Sequence, residues 1–121
     1  MHDFRRLRVW QDAVEFVIEV YRVTRQFPAE EKFNLISQLN RAAVSIPSNI
    51  SEGAGRGGNG EFIQFLNYAS GSCSEVFTQL MIANRLGYIS GDEFEKTDAR
   101  LNSIHRMIHK LISNLRSTPT A

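Results

Sequence analysis

Residues 94–115, FEKTDARLNSIHRMIHKLISNL, hold the reading of the fold. Phe94, Thr97, Leu101, Ile104, Ile108, Leu111 and Leu115 recur at alternating steps of three and four, which lines them along one side of an α-helix. The segment follows Ser90-Gly91-Asp92, where a serine or aspartate side chain caps orphan amides, and Asp92, Glu93 and Glu95 complement the helix dipole. Three upstream segments repeat the pattern. The first carries Leu7, Trp10, Val14, Val17, Tyr21 and Thr24, and Phe27-Pro28 closes it because the residue before proline is pushed out of helical geometry. The second, about residues 30–54, carries Ile36, Leu39, Ala43, Ile46 and Ile50. The third starts near Asn59 or Glu61, carries Phe62, Leu66, Ala69, Cys73, Val76, Leu80 and Ala83, and ends at the C-cap glycine Gly87.

No segment alternates like a strand. Four helices of similar length with short connections predict an all-α, antiparallel up-down-up-down four-helix bundle. It forms one domain over residues 1–116, with 117–121 (STPTA) a frayed tail. Pro47 falls inside the second helix, where it removes a hydrogen bond at roughly 3 kcal/mol in an unadapted helix. A kink near Val44–Ser45 or a split into two helices is expected, with Ser45, Ser48 or Asn49 bonding freed backbone groups.

The first helix has more apolar surface than one bundle face needs. Val9, Ala13, Phe16, Val20, Val23 and Phe27 form a second line, about a quarter turn from the first. Its destination is either a partner surface or a deep position between neighbouring helices, and self-association through Val9, Phe16, Val20, Val23 and Phe27 is the expectation adopted.

Composition narrows the class. In 121 residues, 42% hydrophobic and 22% charged residues match a globular average, so disorder and fibrous repeats are excluded. No apolar run approaches the roughly 20 residues of a membrane-spanning helix, and MHDFRRLRVW lacks the apolar core of a signal peptide. A lone cysteine, Cys73, fits a reducing compartment, so a cytoplasmic protein with no membrane association is expected. The net charge is +1, yet 11 of the 14 basic residues are arginine, the side chain suited to forked contacts with phosphate. In the expected topology Arg5, Arg6, Arg8 and Arg56 meet Arg106, Lys110 and Arg116 at one end, while Glu30, Glu31, Asp92, Glu93, Glu95 and Asp98 occupy the other. Such polarity is the footprint of a phosphate-backbone binder, although an ordinary solvated helix face gives the same pattern.

Three motifs are set aside. Gly53–Gly58 matches G-x-G-x-x-G but follows a helix rather than a strand, so it reads as a helix connection. Cys73, among small residues on an apolar seam, reads as a buried structural thiol. His105 and His109 share a face at metal-binding spacing, but no acid follows Asp98 and a third ligand would have to come from elsewhere, such as His2. No catalytic residues, metal or cofactor are assigned.

Arg41–Arg56, RAAVSIPSNISEGAGR, resembles the signature of a bacterial four-helix-bundle family, the 23S rRNA intervening-sequence proteins. Leu7–Ala13, Phe27-Pro28 with Glu31, Glu61-Phe62, Phe65-Leu66, Ala69–Ser72, Glu75, Thr78–Leu80 and Leu86–Ile89 extend the resemblance along nearly the whole chain. It implies a cytoplasmic homopentameric ring, with a fold related to the accessory protein of diversity-generating retroelements, which works with a reverse transcriptase and nucleic acid. It also marks Arg41, Pro47, Asn49, Glu52 and Gly53 as motif residues, with Arg41, Asn49 and Glu52 fixing the kinked helix or a subunit contact. Cys73, Val76, Phe77 and Gly58 depart from the family pattern. The expectation is a non-enzymatic, homo-oligomeric bundle that binds RNA or another polyanion through Arg5, Arg6, Arg8, Arg56, Arg106 and Lys110. The alternative is a scaffold that binds a protein partner and no nucleic acid.

Overall fold

The computed structural model describes residues 3–118. Four helices dominate: α1 (Arg8–Thr24), α2 (Leu35–Ala54), α3 (Asn59–Arg85) and α4 (Gly91–Arg116), with short 3-10 turns at Phe4–Arg6 and Ala29–Glu31. No strand occurs among the described residues. Local chemistry sets several boundaries. Ser90 Oγ accepts from the Glu93 amide at 3.1 Å and starts α4. Gly87, at φ +80°, ends α3 with Tyr88 N–H donating to Ala83 O and Gly87 N–H to Asn84 O, the paired bonds of a Schellman cap. The second helix begins at Leu35, because Ala29–Glu31 form a separate turn.

The helices enclose one core, each packed on its chain neighbours, with α4 closing back onto α1. Contacts fix the directions. Glu19 and Arg22 of α1 pair with Arg100 and Glu93 of α4, so advancing along one helix means retreating along the other. Thr24, at the end of α1, donates to Asn40 Oδ1 early in α2. Asn59 at the start of α3 donates to Leu115 O and Thr118 O at the end of α4.

Pro47 is buried within one uninterrupted helix, so the split is not found. Lacking an amide hydrogen, it leaves the Ala43 carbonyl without its usual donor. Polar side chains bond the carbonyls nearby: Ser45 Oγ donates to Ala42 O at 2.6 Å, and Asn49 Nδ2 to Ser45 O at 2.8 Å. Ser45 Oγ also bonds Ser72 Oγ of α3 at 2.5 Å. Gly53 permits the closest approach of α2 to α3, since a Cβ there would sit 2.7 Å from Phe65 Cβ.

The structure reverses the two apolar lines of α1. Val9, Phe16, Val20, Val23 and Phe27, expected at a subunit interface, lie in the core, each at most 6% exposed, together with Ala13. Trp10, Val14 and Val17 are only half-buried, and Tyr21 is exposed. The reason is chemical. Trp10 and Tyr21 carry polar tips that favour a wet boundary, whereas the second line is wholly apolar and its Ala13 admits a close neighbour. On α4 the core likewise takes Ile112, leaving Leu111 half-buried. No helix is long and apolar enough to cross a membrane among the described residues.

Candidate nucleic-acid interface

Contacts gather one end of the bundle. Phe4, beside Arg5 and Arg6, lines a groove with Pro47, Ser48 and Ser51 near the end of α2. Through Asn59, the start of α3 meets the end of α4. The cations expected there divide into two groups. Arg5 Nε lies 3.2 Å from Asp3 Oδ1, and Arg8 Nε 3.5 Å from Asp12 Oδ2. Arg56 Nη2 lies 2.7 Å from Glu52 Oε1 and Nη1 3.9 Å from Glu61 Oε2, while its guanidinium stacks 4.8 Å above the Phe65 ring. All three remain largely exposed, so these pairs are weak and yield readily to a stronger anion.

Arg6, Arg106, Lys110 and Arg116 are exposed and make no ion pair among the described residues. Arg106 and Lys110 stand opposite the α4 core line of Leu101, Ile104, Ile108 and Leu115. They lie about 15 Å and 9 Å from Arg116 along the axis, at 1.5 Å per residue. Arg106 and Lys110 therefore form a short cationic stripe reaching to the middle of α4, while at about 100° per residue Arg116 lies about 120° round the helix from Lys110. Toward the opposite end Glu19 and Glu93 are held in pairs, while Glu30, Asp92 and Glu95 stay exposed alongside the likewise exposed Arg25, Lys32, Arg85 and Lys96. Arg22 Nη2 bonds Glu19 Oε1 at 2.6 Å and Glu93 Oε1 at 3.0 Å, and Gln26 Nε2 donates to Glu93 Oε1 at 3.0 Å. Hydrogen bonding from Arg22 holds the Glu19 carboxyl below its ordinary range, and bonds from Gln26 and Arg22 do the same for Glu93.

His105 and His109 stack with ring centroids 4.9 Å apart, and both turn Nε2 toward one hydroxyl of α3. Ser70 Oγ lies 2.7 Å from His105 Nε2 and 3.2 Å from His109 Nε2. Burial, followed by the neighbouring His109, lowers the pKa of His105. No acid orients either ring among the described residues, so the serine–histidine contact lacks the third group of a nucleophilic triad. Nor do three His, Cys, Asp or Glu side chains converge there, and His2 lies outside the described residues. Cys73 is buried at 1% exposure, and burial pushes its thiol up to about 12. Of the motif residues, Asn49 braces α2, Glu52 pairs with Arg56, Gly53 sets the α2–α3 approach, and Arg41 is exposed.

The apolar groove between α1 and α2 was not legible as a site. Phe4, Trp10, Val14, Val17, Ile18, Val44 and Pro47 line about 300 Å³. Ile18 is 63% exposed. The signal for it lies in the two apolar lines of α1 about a quarter turn apart, since one helix face in a small bundle buries only one of them.

These features define a small all-α bundle with a cationic stripe on α4 and an open apolar groove on α1 and α2. Residues 5–110 match the family described as 23S rRNA-intervening sequence protein, and the chain belongs to that family. A crystal structure from Bacteroides thetaiotaomicron VPI-5482, of a protein with unknown function from the S23 ribosomal protein family, has a similar fold. Its TM-score is 0.77 at 23% identity, over 86% of this chain and 97% of that one. No curated protein matches the sequence.

Proposed function

We propose that the protein is a non-enzymatic, cytoplasmic, homo-oligomeric bundle that binds RNA or a similar polyanion along the α4 stripe. The observation that carries the reading is the exposure of Arg106 and Lys110, four residues apart on one face, with no acidic partner among the described residues. Such side chains fit phosphate backbone and carry no sequence information of their own. Arg116 on a neighbouring face of α4 and Arg6 in the turn before α1 add exposed charge, and Arg5, Arg8 and Arg56 join by exchanging weak pairs for phosphate.

Self-association runs through the α1/α2 groove in this reading. An exposed Ile18 beside Tyr21, Val44 and a Trp10-lined hollow is apolar surface that a second copy covers. The family resemblance favours a pentameric ring, which would set several α4 stripes side by side. Binding of a labelled structured RNA at two salt concentrations, with an Arg106→Ala/Lys110→Ala variant alongside, tests the reading. Wild-type binding that weakens steeply with salt and drops in the variant supports it. An absence of binding at low salt refutes it and leaves a protein-binding scaffold as the successor.

A further inference from the structure

The His105–His109–Ser70 cluster lies on the face of α4 adjoining Arg106 and Lys110, and the polyanion reading gives it no work. One hydroxyl serves two imidazoles. In the neutral pair, Ser70 donates to one Nε2 and accepts N–H from the other, so a single serine satisfies both rings. One protonated ring keeps both bonds, since it donates to Ser70 Oγ while Ser70 donates to the other; when both rings are protonated each can only donate, and that reciprocity is lost. A second positive ring at a centroid distance of 4.9 Å also meets repulsion from the first.

The surroundings offer no carboxylate to absorb that charge. On α4 the near neighbours are Arg106 and Lys110, with Arg116 further on; Asp98 lies seven residues before His105, about 10 Å along the axis, with Oδ2 accepting from Asn102 and Oδ1 buried without a partner among the described residues. From α3 the pair meets Ser70; Cys73 of that helix is buried, Glu61 turns to Arg56, and Glu75 accepts from Gln79. Asp12, Glu15 and Glu19 of α1 face α4 at Arg100, Ser103 and Ile104, on its other flank. α4 packs directly against α3 and α1, and α2 lies diagonally across the core from it. An external anion is therefore the counter-charge left for a protonated pair.

We infer that the His105–His109 pair, held by Ser70, is a proton-coupled phosphate contact that extends the α4 stripe as pH falls toward the range in which histidine titrates. The inference rests on the polyanion reading and assigns its regulation. Phosphate between or beside the rings offsets their repulsion, so RNA binding draws protons onto the pair, and lower pH strengthens binding by the same linkage.

The test uses the full chain and a labelled RNA hairpin, with affinity measured across a salt series at pH 8 and pH 5.5. The wild type is expected to show a salt slope steeper at pH 5.5 by about one for each phosphate recruited. A His105→Asn/His109→Asn variant should match the wild type at pH 8 and keep the same slope at both pH values. His109→Asn alone, at an exposed position, serves if the double variant does not fold, and should remove part of the pH effect. A wild-type slope unchanged between the two pH values, with binding present at both, overturns this inference and spares the polyanion reading. A pH effect that survives in a folded variant also overturns it. Failure to bind at either pH sinks both.

Discussion

Gly53 shows how far one hydrogen atom can determine a packing distance. Its missing side chain lets α2 approach α3 until a Cβ would meet Phe65 Cβ at 2.7 Å and the Phe62 ring at 3.0 Å. Gly53→Ala should destabilise by about 1–3 kcal/mol through overpacking, read as a lower denaturant midpoint with an unchanged slope. The sequence placed this glycine in a motif without disclosing its purpose, because the purpose is a distance to another helix. His105 is similar: its spacing from His109 was legible, but Ser70 is 35 residues away and no periodicity announces it. Burial and His109 hold the folded His105 pKa below its ordinary 6.5, so the unfolded chain binds more protons in that window. Stability from this group is present at higher pH and falls as pH drops through 6.5 toward the lowered value. Denaturation midpoints at pH 8 and pH 5.5 should differ less in His105→Gln than in the wild type. Cys73, with its thiol raised to about 12, should label with thiol reagents only as the protein unfolds.

At the scale of the element, α1 holds the main correction. Both of its apolar lines satisfy helical spacing, and periodicity alone cannot rank two such lines a quarter turn apart. What ranks them is the wet tip of Trp10 and Tyr21 against the unbroken apolar run from Val9 to Phe27. Phe16 is fully buried, so Phe16→Ala should cost about 3–5 kcal/mol in chemical denaturation. Ile18→Ala, two residues on but 63% exposed, should change the stability of the single subunit by no more than about 0.5 kcal/mol. Equal losses at both positions would contradict the assignment of the core. The seams of α2, α3 and α4 were nearly all legible because the longest apolar run at helical spacing in each enters the core, even though α3 also exposes Tyr68, Phe77 and Ile82. The persistence of α2 through Pro47 was not, since it depends on local bonds from Ser45 and Asn49 and on packing against α3.

For the whole molecule, charge rather than net charge is informative. A formal +1 conceals a half in which exposed cations such as Arg25, Lys32 and Lys96 are interspersed with Glu30, Asp92 and Glu95, and an opposite half where Arg6, Arg106, Lys110 and Arg116 stand unpaired among the described residues with few acids nearby. The polarity and the reach of the stripe to the middle of α4 were legible from helix order and spacing, but the absence of an acidic partner for Arg106 and Lys110 among the described residues required the structure. The proposed assembly through the α1/α2 groove would multiply that stripe and so couple association to polyanion binding. Ile18→Asp, which puts a charge into the exposed apolar surface, should lower the molar mass seen by light scattering while leaving helix content intact. The most direct test compares the salt dependence of RNA affinity for the wild type and for this variant. Tight, steeply salt-dependent binding is expected of the assembly, and a weaker affinity with a shallower slope of the dissociated subunit. Equal slopes, or no binding by the wild type at low salt, would contradict that expectation.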